Sequence, residues 1–403
     1  MAVRWFGAMM LSLGVGACFD GEGTLGSICR DDTDCGDGQR CRTEVCGYCG
    51  DGIAQPGELC LVSAVALDRA PSAAGTDLLA VDLDGDASLD LVTRGSDGRP
   101  AAWTGGGDGS WTVATEATGV GLRGALRLAR LDADDTLDIV VADDDAPALH
   151  LGYGDAQGGW SFVGAFALEA PALDLAVAGA VAGTSSEAPA WIAWVDDDGL
   201  MHARVEPVGG GLQDAVRLDA GRALRVGDPV RLDGDGALDL PVVDLVAMEL
   251  EVWRGDGAGG LLRAEPIALP ARPVDVVVAD VDGDGDDDLL VPDEAGGVTV
   301  MTSDGEGGLS VLERPEVPGP ARGVAVADLD RDSDRDLVVL AEADPAVWVL
   351  LGRGFRHPDA VAVPVDGTVG ALLAIDGDRD GLVELVLGPT DGPGPLRVVE
   401  VAP

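Results

Sequence analysis

A repeat with a period of about 48 residues constrains the fold of this chain more than any other feature of its sequence. Acidic loops flanked by apolar runs begin at residues 82, 130, 231, 280, 328 and 376. An apolar frame without the acids occupies the equivalent place at residue 179. The steps between these seven positions are 48, 49, 52, 49, 48 and 48 residues. Such a regular period indicates a repeat architecture in which each period is one supersecondary unit.

Each period contains the signals of four short strands. In the fifth copy the apolar runs predict strands at about 274–279, 288–292, 297–302 and 309–313. The acidic loop joins the first strand to the second, and a Gly/Asp turn follows about 25 residues after each loop start. Seven such units without helical periodicity predict an all-β fold. We expect a seven-bladed β-propeller of four-stranded blades over residues 61–403.

The two ends of the repeat region predict how the ring closes. The last copy stops after a third strand at 396–401. The segment 61–75 resembles the fourth-strand segment 262–273 of another copy. We therefore expect the strand near residue 61 to complete the last blade, which leaves no free sheet edge in the ring.

Alternating carboxylates in the loops favour bound cations. One loop places Asp280, Asp282, Asp284, Asp286 and Asp288 at every second position. Unit charges about 4 Å apart repel by roughly 1 kcal/mol in water and by more near a protein. Ca²⁺ offsets this repulsion, because it is a hard cation that takes 6–8 oxygen ligands. A solvated acidic turn is the alternative for any single loop.

The pattern D-x-D-x-D-x-x-x-D-L, repeated in phase, resembles the FG-GAP/VCBS repeat, which also builds the propeller of integrin α-subunits. The resemblance covers residues 61–403. In that family, loop positions one, three, five and nine bind Ca²⁺ together with a backbone carbonyl at position seven. For this chain the resemblance implies about four Ca²⁺ sites. Their ligands would be Asp82, Asp84, Asp86, Asp90, Asp280, Asp282, Asp284, Asp288, Asp328, Asp330, Asp332, Asp336, Asp376, Asp378, Asp380 and Glu384.

Three copies depart from the family pattern. The copy at residue 179 lacks the acids, and Arg130 and Arg231 stand where Asp begins the intact loops. A guanidinium suits carboxylates, so our hypothesis is that each Arg folds into its own loop as a built-in cation and that these blades carry no metal. Drift in a surface turn is the alternative. The retained carboxylates are Asp132, Asp134, Asp138, Asp233, Asp235 and Asp239.

The first 28 residues have the features of an export signal followed by a short tether. Residues 1–17 contain an early Arg, an apolar stretch and small residues before Cys18, which predicts a signal peptide. The sequence VGAC at 15–18 resembles a bacterial lipobox. We predict that Cys18 is lipidated, that residues 18–28 form a lipid-anchored tether, and that the protein lies in the bacterial envelope, at the outer membrane or cell surface. Ordinary secretion is the alternative.

Residues 29–60 form a cysteine-rich segment. An even number of cysteines in an exported segment of this length predicts disulfides. Zinc is the alternative, because Cys46 and Cys49 have ligand spacing. The stretch 49–60 resembles a cysteine-rich motif of myxobacterial surface proteins. The six cysteines are Cys29, Cys35, Cys41, Cys46, Cys49 and Cys60.

Charge and the absence of catalytic motifs restrict the function. A net charge of −46 disfavours nucleic acid and anionic membrane surfaces, so contact with a membrane is expected only through the lipid. His150, His202 and His357 lie at different phases of different copies, and no nucleophile elbow, zinc-protease motif or phosphate loop occurs. We therefore predict no enzymatic activity.

The expected function is a binding or adhesion module for a protein or a polysaccharide. A propeller enzyme, such as a lyase or a glycosidase with its site at the central channel, is one alternative. A purely structural envelope protein is another. A cluster of charged side chains at the channel would favour the enzyme.

Two conspicuous features are predicted to be structural. Residues 254–256 spell the integrin-recognition tripeptide RGD, but they fall in the recurring hairpin turn. Trp103, Trp253 and Trp348 recur 21, 22 and 20 residues after their loop starts, which places them on third strands. We expect these rings to pack between blades rather than to stack on sugars.

Overall fold

The computed structural model describes most of the repeat region and a few segments before it. The predicted signal peptide, Cys18, the tether, Cys29, Cys35 and Cys49 lie outside the described residues. The described residues are 40–42, 45–47, 60–67, 78–94, 100–108, 110–116, 125–132, 134, 136–143, 146–155, 158–179, 189–206, 211–220, 222–342, 347–353, 356–357, 359–363, 369–377, 379, 381–389 and 396–402.

Three strands precede the first complete blade. They are β1 (Arg40–Arg42), β2 (Val45–Gly47) and β3 (Cys60–Leu67). Strands β1 and β2 form an antiparallel pair in which Cys41 lies opposite Cys46. Cys60, which the sequence assigned to the cysteine-rich segment, is the first residue of β3.

Blades 1 to 3 each contain four antiparallel strands in chain order. Blade 1 is β4 (Leu78–Val81), β5 (Asp90–Arg94), β6 (Pro100–Gly105) and β7 (Trp111–Glu116); blade 2 is β8 (Leu126–Ala129), β9 (Asp138–Asp143), β10 (Ala148–Gly154) and β11 (Trp160–Ala167); blade 3 is β12 (Asp174–Ala178), β13 (Trp191–Asp196), β14 (Gly199–Val205) and β15 (Leu212–Arg217).

Blades 4 to 6 follow the same order, except that two short segments form the outer strand of blade 4. Pro266 lies between these segments and cannot donate to the ladder. Blade 4 is β16 (Leu224–Val226), β17 (Leu240–Asp244), β18 (Glu249–Gly255), β19 (Leu261–Arg263) and β20 (Ile267–Ala268); blade 5 is β21 (Val277–Ala279), β22 (Asp288–Pro292), β23 (Val298–Ser303) and β24 (Leu309–Glu313); blade 6 is β25 (Ala321–Ala327), β26 (Asp336–Ala341), β27 (Val347–Leu351) and β28 (Asp359–Val363).

Blade 7 closes the ring with a strand from the other end of the propeller. Its strands are β29 (Val369–Ile375), β30 (Val383–Pro389), β31 (Leu396–Ala402) and β3. Strand β3 pairs antiparallel with β31, so that Leu67 lies opposite Leu396 and Ala64 lies opposite Val399. The predicted fold class, the seven blades and the closure are therefore confirmed.

The hydrophobic core lies between the blades. Within the described residues, seven apolar clusters occupy the seven blade-to-blade interfaces. Second strands such as β26 are buried over their whole length, because both faces of the blade pack against neighbours. Trp103 and Trp253 belong to these clusters, and Trp348 packs against one of them. The predicted packing role of these three rings is confirmed.

The first strand of each blade lies nearest the central axis. The first strands of neighbouring blades contact one another, as β8 contacts β12 and β25 contacts β29. Each acidic loop leaves the end of such an inner strand, so the loops gather on one face of the ring. Among the described residues, no helix is long and apolar enough to span a membrane.

Candidate metal centres

The acidic loops share one backbone conformation. Where the structure describes them, loop positions four and six have positive φ angles between 59° and 93°. Ala87, Arg331, Ser333 and Arg379 adopt this left-handed conformation although it suits glycine. The repeated reversal turns the side chains of positions one, three and five toward the inside of the loop. The residues in question are Gly85, Ala87, Gly234, Gly236, Gly283, Gly285, Arg331, Ser333, Arg379 and Gly381.

Backbone donors hold the loop carboxylates in place. In the first loop, Gly85 N–H donates to Asp82 Oδ1 at 2.7 Å and Asp86 N–H donates to Asp84 Oδ1 at 3.1 Å. The fifth loop repeats the first contact, from Gly283 N–H to Asp280 Oδ1 at 2.7 Å. The carboxylates are thus oriented by the fold before any ligand binds.

The acid at position nine is buried and fastens the loop to the third strand. In blade 5, Asp288 Oδ2 accepts from Val281 N–H at 2.9 Å, and its Oδ1 accepts from Ser303 N–H at 2.8 Å. The same pair of bonds recurs at four equivalent acids, Asp90, Asp138, Asp239 and Asp336. In blade 7, Glu384 Oε2 accepts from Gly377 N–H at 2.7 Å. This structural role explains why the acid persists in the two loops that begin with Arg.

Burial changes the acidity of these position-nine carboxyls. Desolvation raises the pKa of Asp288 to about 6 against the lowering effect of its bonds to Ser303 and Val281. Desolvation likewise raises the pKa of Asp336 to about 6, against its bonds to Gly352 and Leu329. Both side chains are fully buried. The folded protein therefore holds these two groups closer to neutrality than ordinary aspartates.

Within the part of the chain that the structure describes, four loops each bring three carboxylates together, with ligand oxygens within 4.8 Å of one another. Three of them, in blades 1, 5 and 6, were predicted as metal sites. The fourth, in blade 2, begins with Arg130 and was predicted to lack metal. The groups are Asp82, Asp84 and Asp86; Asp132, Asp134 and Asp138; Asp280, Asp282 and Asp288; and Asp328, Asp330 and Asp332.

Buried oxygens without hydrogen bonds mark two of the loops as incomplete. Among the described residues, Asp328 Oδ1, Asp330 Oδ2 and Asp376 Oδ1 are buried and lack a hydrogen-bond partner. Arg353 Nη1 lies 3.6 Å from Asp330 Oδ2, beyond hydrogen-bond distance. A buried carboxylate oxygen without a partner is costly, and a bound cation removes that cost. The donor set consists of oxygens only, as Ca²⁺ prefers.

In blades 1, 5 and 6 the predicted ligands outside these groups are Asp90, Asp284 and Asp336. Asp90 and Asp336 give both oxygens to backbone N–H groups. Asp284 bonds to Asp286 N–H at 2.9 Å. Asp378 and Asp380 lie outside the described residues, so the blade 7 site is represented by Asp376 and Glu384.

In blade 4, Arg231 contacts its own loop through a backbone carbonyl, and the hypothesis that it keeps metal out of this blade stays a prediction. Arg231 is exposed, and its Nε contacts the carbonyl oxygen of Gly236 at 3.4 Å. Arg254, at the end of β18, instead donates from Nη1 to Asp233 Oδ2 at 2.8 Å and from Nη2 to the carbonyl of Gly307 at 2.7 Å. The side chain that partly neutralises this loop comes from the third strand, which the loop sequence does not reveal.

In blade 2, Arg130 is exposed while the three acids converge. Hydrogen bonds from Thr136 lower the pKa of Asp134, and Arg130 contributes to the same shift as a weaker cause. This loop keeps an acidic group of its own, so sequence reasoning missed Asp132, Asp134 and Asp138 as a candidate centre.

The RGD tripeptide is part of a hairpin turn, as predicted. Asp256 Oδ1 accepts from Ala258 N–H at 2.8 Å and from Gly260 N–H at 2.7 Å. Arg254 is held by Asp233 and Gly307. Both charged side chains of the tripeptide therefore already form hydrogen bonds with other residues of the chain.

The three histidines lie in different blades. His150, on β10, has Nε2 at 3.6 Å from Asp143 Oδ2. His202, on β14, packs its ring 5.6 Å from that of Trp191, and burial lowers its pKa to about 4. His357 lies in blade 6 between Glu313 Oε1 and the carbonyl of Arg335. The structure does not bring them together as a catalytic group.

A second group of charged side chains lies on or directly beside the inner strands of blades 2 to 5. Arg127 Nε is 3.4 Å from Asp228 Oδ1 and its Nη2 is 3.8 Å from Asp174 Oδ1. Arg225 and Asp275 act on the same group electrostatically. We call Arg127, Asp174, Arg225, Asp228 and Asp275 the inner-strand cluster. Nothing in the repeat pattern predicts it.

The position-nine acids supply a test of their structural role. Asp239→Asn in blade 4 should lower the free energy of unfolding by about 2–3 kcal/mol, because one backbone donor would face an amide N–H₂ in a buried site. The loss should be equal in Ca²⁺ and in chelator. Denaturant unfolding measures it, with Asp235→Asn in the same loop as the control. Equal stability of the two variants would contradict the role.

Comparison with known proteins supports the repeat assignment. The model of the FG-GAP-like repeat matches residues 231–291 and 280–339. Comparison with curated protein sequences gives no significant match. The structure is similar to BBS1N, solved in complex with ARL6DN, at 15% identity and a TM-score of 0.58, covering 84% of this chain and 96% of that chain. It is similar to virginiamycin B lyase from Staphylococcus aureus at 11% identity and a TM-score of 0.52, covering 85% and 99%. At these identities the likeness shows the fold alone.

Proposed function

We propose that this FG-GAP-repeat β-propeller is an exported, lipid-anchored binding or adhesion module. Ca²⁺ would stabilise it, and its ligand would be a protein or a polysaccharide. One observation carries the proposal most directly. Acidic loops on one face of the ring hold buried carboxylate oxygens without hydrogen bonds, at Asp328, Asp330 and Asp376.

Ca²⁺ would stabilise the fold of this protein and would take no part in a reaction. The groups on the loops of blades 1, 2, 5 and 6 would hold the ions, and blade 7 would add Asp376 and Glu384. A bound ion would neutralise carboxylates that otherwise repel one another. The loop face would then become rigid, and a rigid face loses less entropy when a ligand binds.

The closed ring supports a binding role. Its seven interfaces are filled by apolar side chains, and its three histidines are dispersed. BBS1N, which has a similar fold, was crystallised in complex with ARL6DN. The net charge of −46 disfavours nucleic acid and anionic membranes as ligands.

A propeller enzyme remains the second candidate function. The observation that favours it is the inner-strand cluster, where charged side chains from four blades meet. Virginiamycin B lyase has a similar fold, although one fold supports many functions. Turnover of a polysaccharide that is lost in Asp275→Asn would establish this candidate.

A binding screen tests the proposed function. Protein saturated with Ca²⁺ and protein in chelator are applied to arrays of glycans and of envelope proteins. We expect retention of at least one ligand that weakens in chelator and in Asp282→Asn, but not in Asp304→Asn, which changes an exposed turn. Equal retention in Ca²⁺ and chelator, or no retention at all, would overturn the proposal.

Attachment to the membrane has a separate test. Metabolic labelling with a fatty-acid analogue should label the wild-type protein through diacylglycerol on Cys18, after cleavage behind Ala17. Cys18→Ala should remove the label completely, whereas Cys60→Ala should keep it. A Cys18→Ala variant that labels as strongly as the wild type would show that the protein is not anchored in this way.

A further inference from the structure

Blades 2 and 4 have the same loop pattern, but their loop acids are arranged differently. Both loops begin with Arg and keep acids at positions three, five and nine. Within the described residues, the three acids of blade 2 converge to within 4.8 Å, whereas those of blade 4 do not form such a group. The blade 4 loop still has the usual backbone, with φ angles of 69° at Gly234 and 85° at Gly236. The difference therefore points to a side chain from outside the loop.

Arg254, at the end of β18, is that side chain. Its Nη1 donates to Asp233 Oδ2 at 2.8 Å. The two side chains are 34% and 17% exposed, so water screens this pair less than a pair on an open surface. Arg231, the cation within the loop, contacts the carbonyl of Gly236. The cation that is bonded to a carboxylate of this loop is therefore Arg254.

The position of Arg254 carries no cation in four other blades. It directly precedes the third-strand residue whose N–H bonds to the position-nine acid, which is Gly255 in blade 4. In blade 2, burial and the negative charges of Asp138 and Asp132 raise the pKa of Tyr153, so a side chain at this position lies near the loop acids. The equivalent residues are Thr104 in blade 1, Tyr153 in blade 2, Thr302 in blade 5 and Leu351 in blade 6.

Arg254 also connects blade 4 to blade 5. Its Nη2 donates to the carbonyl of Gly307 at 2.7 Å, in the hairpin turn between β23 and β24. Arg204 of blade 3 makes a longer contact of the same kind, from Nε to the carbonyl of Gly259 at 3.4 Å, in the corresponding turn of blade 4. A planar guanidinium has enough donors to hold a carboxylate and a carbonyl at once. Arg254 thus joins an acidic loop to the next blade without an ion.

We propose that Arg254 takes the place of a metal ion in blade 4, so that this blade binds no Ca²⁺ and stays joined to blade 5 in its absence. Ca²⁺ takes about 6–8 oxygen ligands, and one oxygen of Asp233 is already bonded here. The guanidinium also repels a divalent ion from the other acids of the loop. The inference rests on the proposed function, in which the loops of other blades hold Ca²⁺.

Calcium stoichiometry tests the inference on the full protein. The wild type and each variant are freed of metal with chelator and titrated with CaCl₂ in a calorimeter. Arg254→Thr, which installs the residue of blades 1 and 5, should bind one more Ca²⁺ per chain than the wild type. Arg254→Lys should bind the wild-type number, because it keeps the positive charge. Arg272→Thr removes the same charge from an exposed pair with Glu294 and should also keep the wild-type number.

Melting curves measure the connection between blades 4 and 5 separately from the number of ions. In chelator, Arg254→Thr should melt at a lower temperature than the wild type, because Asp233 and the carbonyl of Gly307 both lose their partner. Ca²⁺ should raise the melting temperature of Arg254→Thr by more than that of the wild type. Arg272→Thr should follow the wild type in both conditions.

The number of ions bound by each variant decides the outcome. An unchanged number in Arg254→Thr would overturn the inference, and so would an extra ion in Arg254→Lys. An extra ion gained by Arg231→Thr but not by Arg254→Thr would assign the role to Arg231 instead. A wild type that binds no Ca²⁺ would overturn calcium stabilisation in the proposed function, and the inference would then hold only if Arg254→Thr still gains an ion.

Discussion

Millimolar Ca²⁺ should raise the melting temperature of this protein by at least about 10 °C, and chelator should reverse the rise. A ligand that binds only the folded state stabilises it by about 2.7 kcal/mol per site at 100-fold excess over its Kd. Four such sites alone would together contribute roughly 10 kcal/mol. The effect is large because folding gathers carboxylates whose repulsion is relieved only by the ion. Differential scanning calorimetry measures both curves.

The contribution of a single Ca²⁺ site to the melting temperature can be tested with one substitution and a matched control. Asp330→Asn removes one carboxylate with a buried, unbonded oxygen, and should lose part of the rise in Ca²⁺. In chelator the same variant should be at least as stable as the wild type, because repulsion with Asp328 and Asp332 is reduced. Asp304→Asn, in an exposed turn, should follow the wild type in both conditions. Identical wild-type curves in Ca²⁺ and in chelator would refute calcium stabilisation.

The features that sequence predicted are those that repeat along the chain. A period of about 48 residues fixes the blade, because one copy can bury its apolar faces only against the next. The closing strand was also predictable, since β3 has the pattern of a fourth strand and β31 is a third. Patterns among residues close together in the sequence determine such strands and loops. Asp82 and Asp84 converge because they belong to one loop.

The features that sequence did not reveal depend on contacts between distant residues. Arg254 reaches Asp233 from another strand, so the loop sequence pointed to Arg231 instead. Arg127 and Asp228 belong to different blades and meet only because the ring closes. The two backbone hydrogen bonds of each position-nine acid could not be predicted for the same reason, because one of the donors belongs to the third strand. Family resemblance treats that acid as a metal ligand, and its two backbone hydrogen bonds add a structural role.

In chelator, the protein should become more stable as the pH falls from about 7.5 to about 5. Asp288 and Asp336 have folded pKa values of about 6, above the ordinary 3.8. Between these values the folded state binds protons that the unfolded state does not, so stability grows as pH falls through about 6 and levels off near 4. Each buried group contributes up to about 3 kcal/mol. Relief of the net negative charge acts in the same direction.

In saturating Ca²⁺ the sign should reverse, because protons compete with the ion for the carboxylates and acid releases it. Thermal melts at pH 5 and pH 7.5, with and without Ca²⁺, give the four values needed. Asp336→Asn is the control, because it removes one titrating group. In chelator, the melting temperature of this variant should depend less on pH than that of the wild type, whatever its absolute stability. Asp235→Asn should keep the wild-type slope. A protein in chelator that loses stability on acidification from pH 7.5 to pH 5 would show that these carboxylates are not held near neutrality by burial.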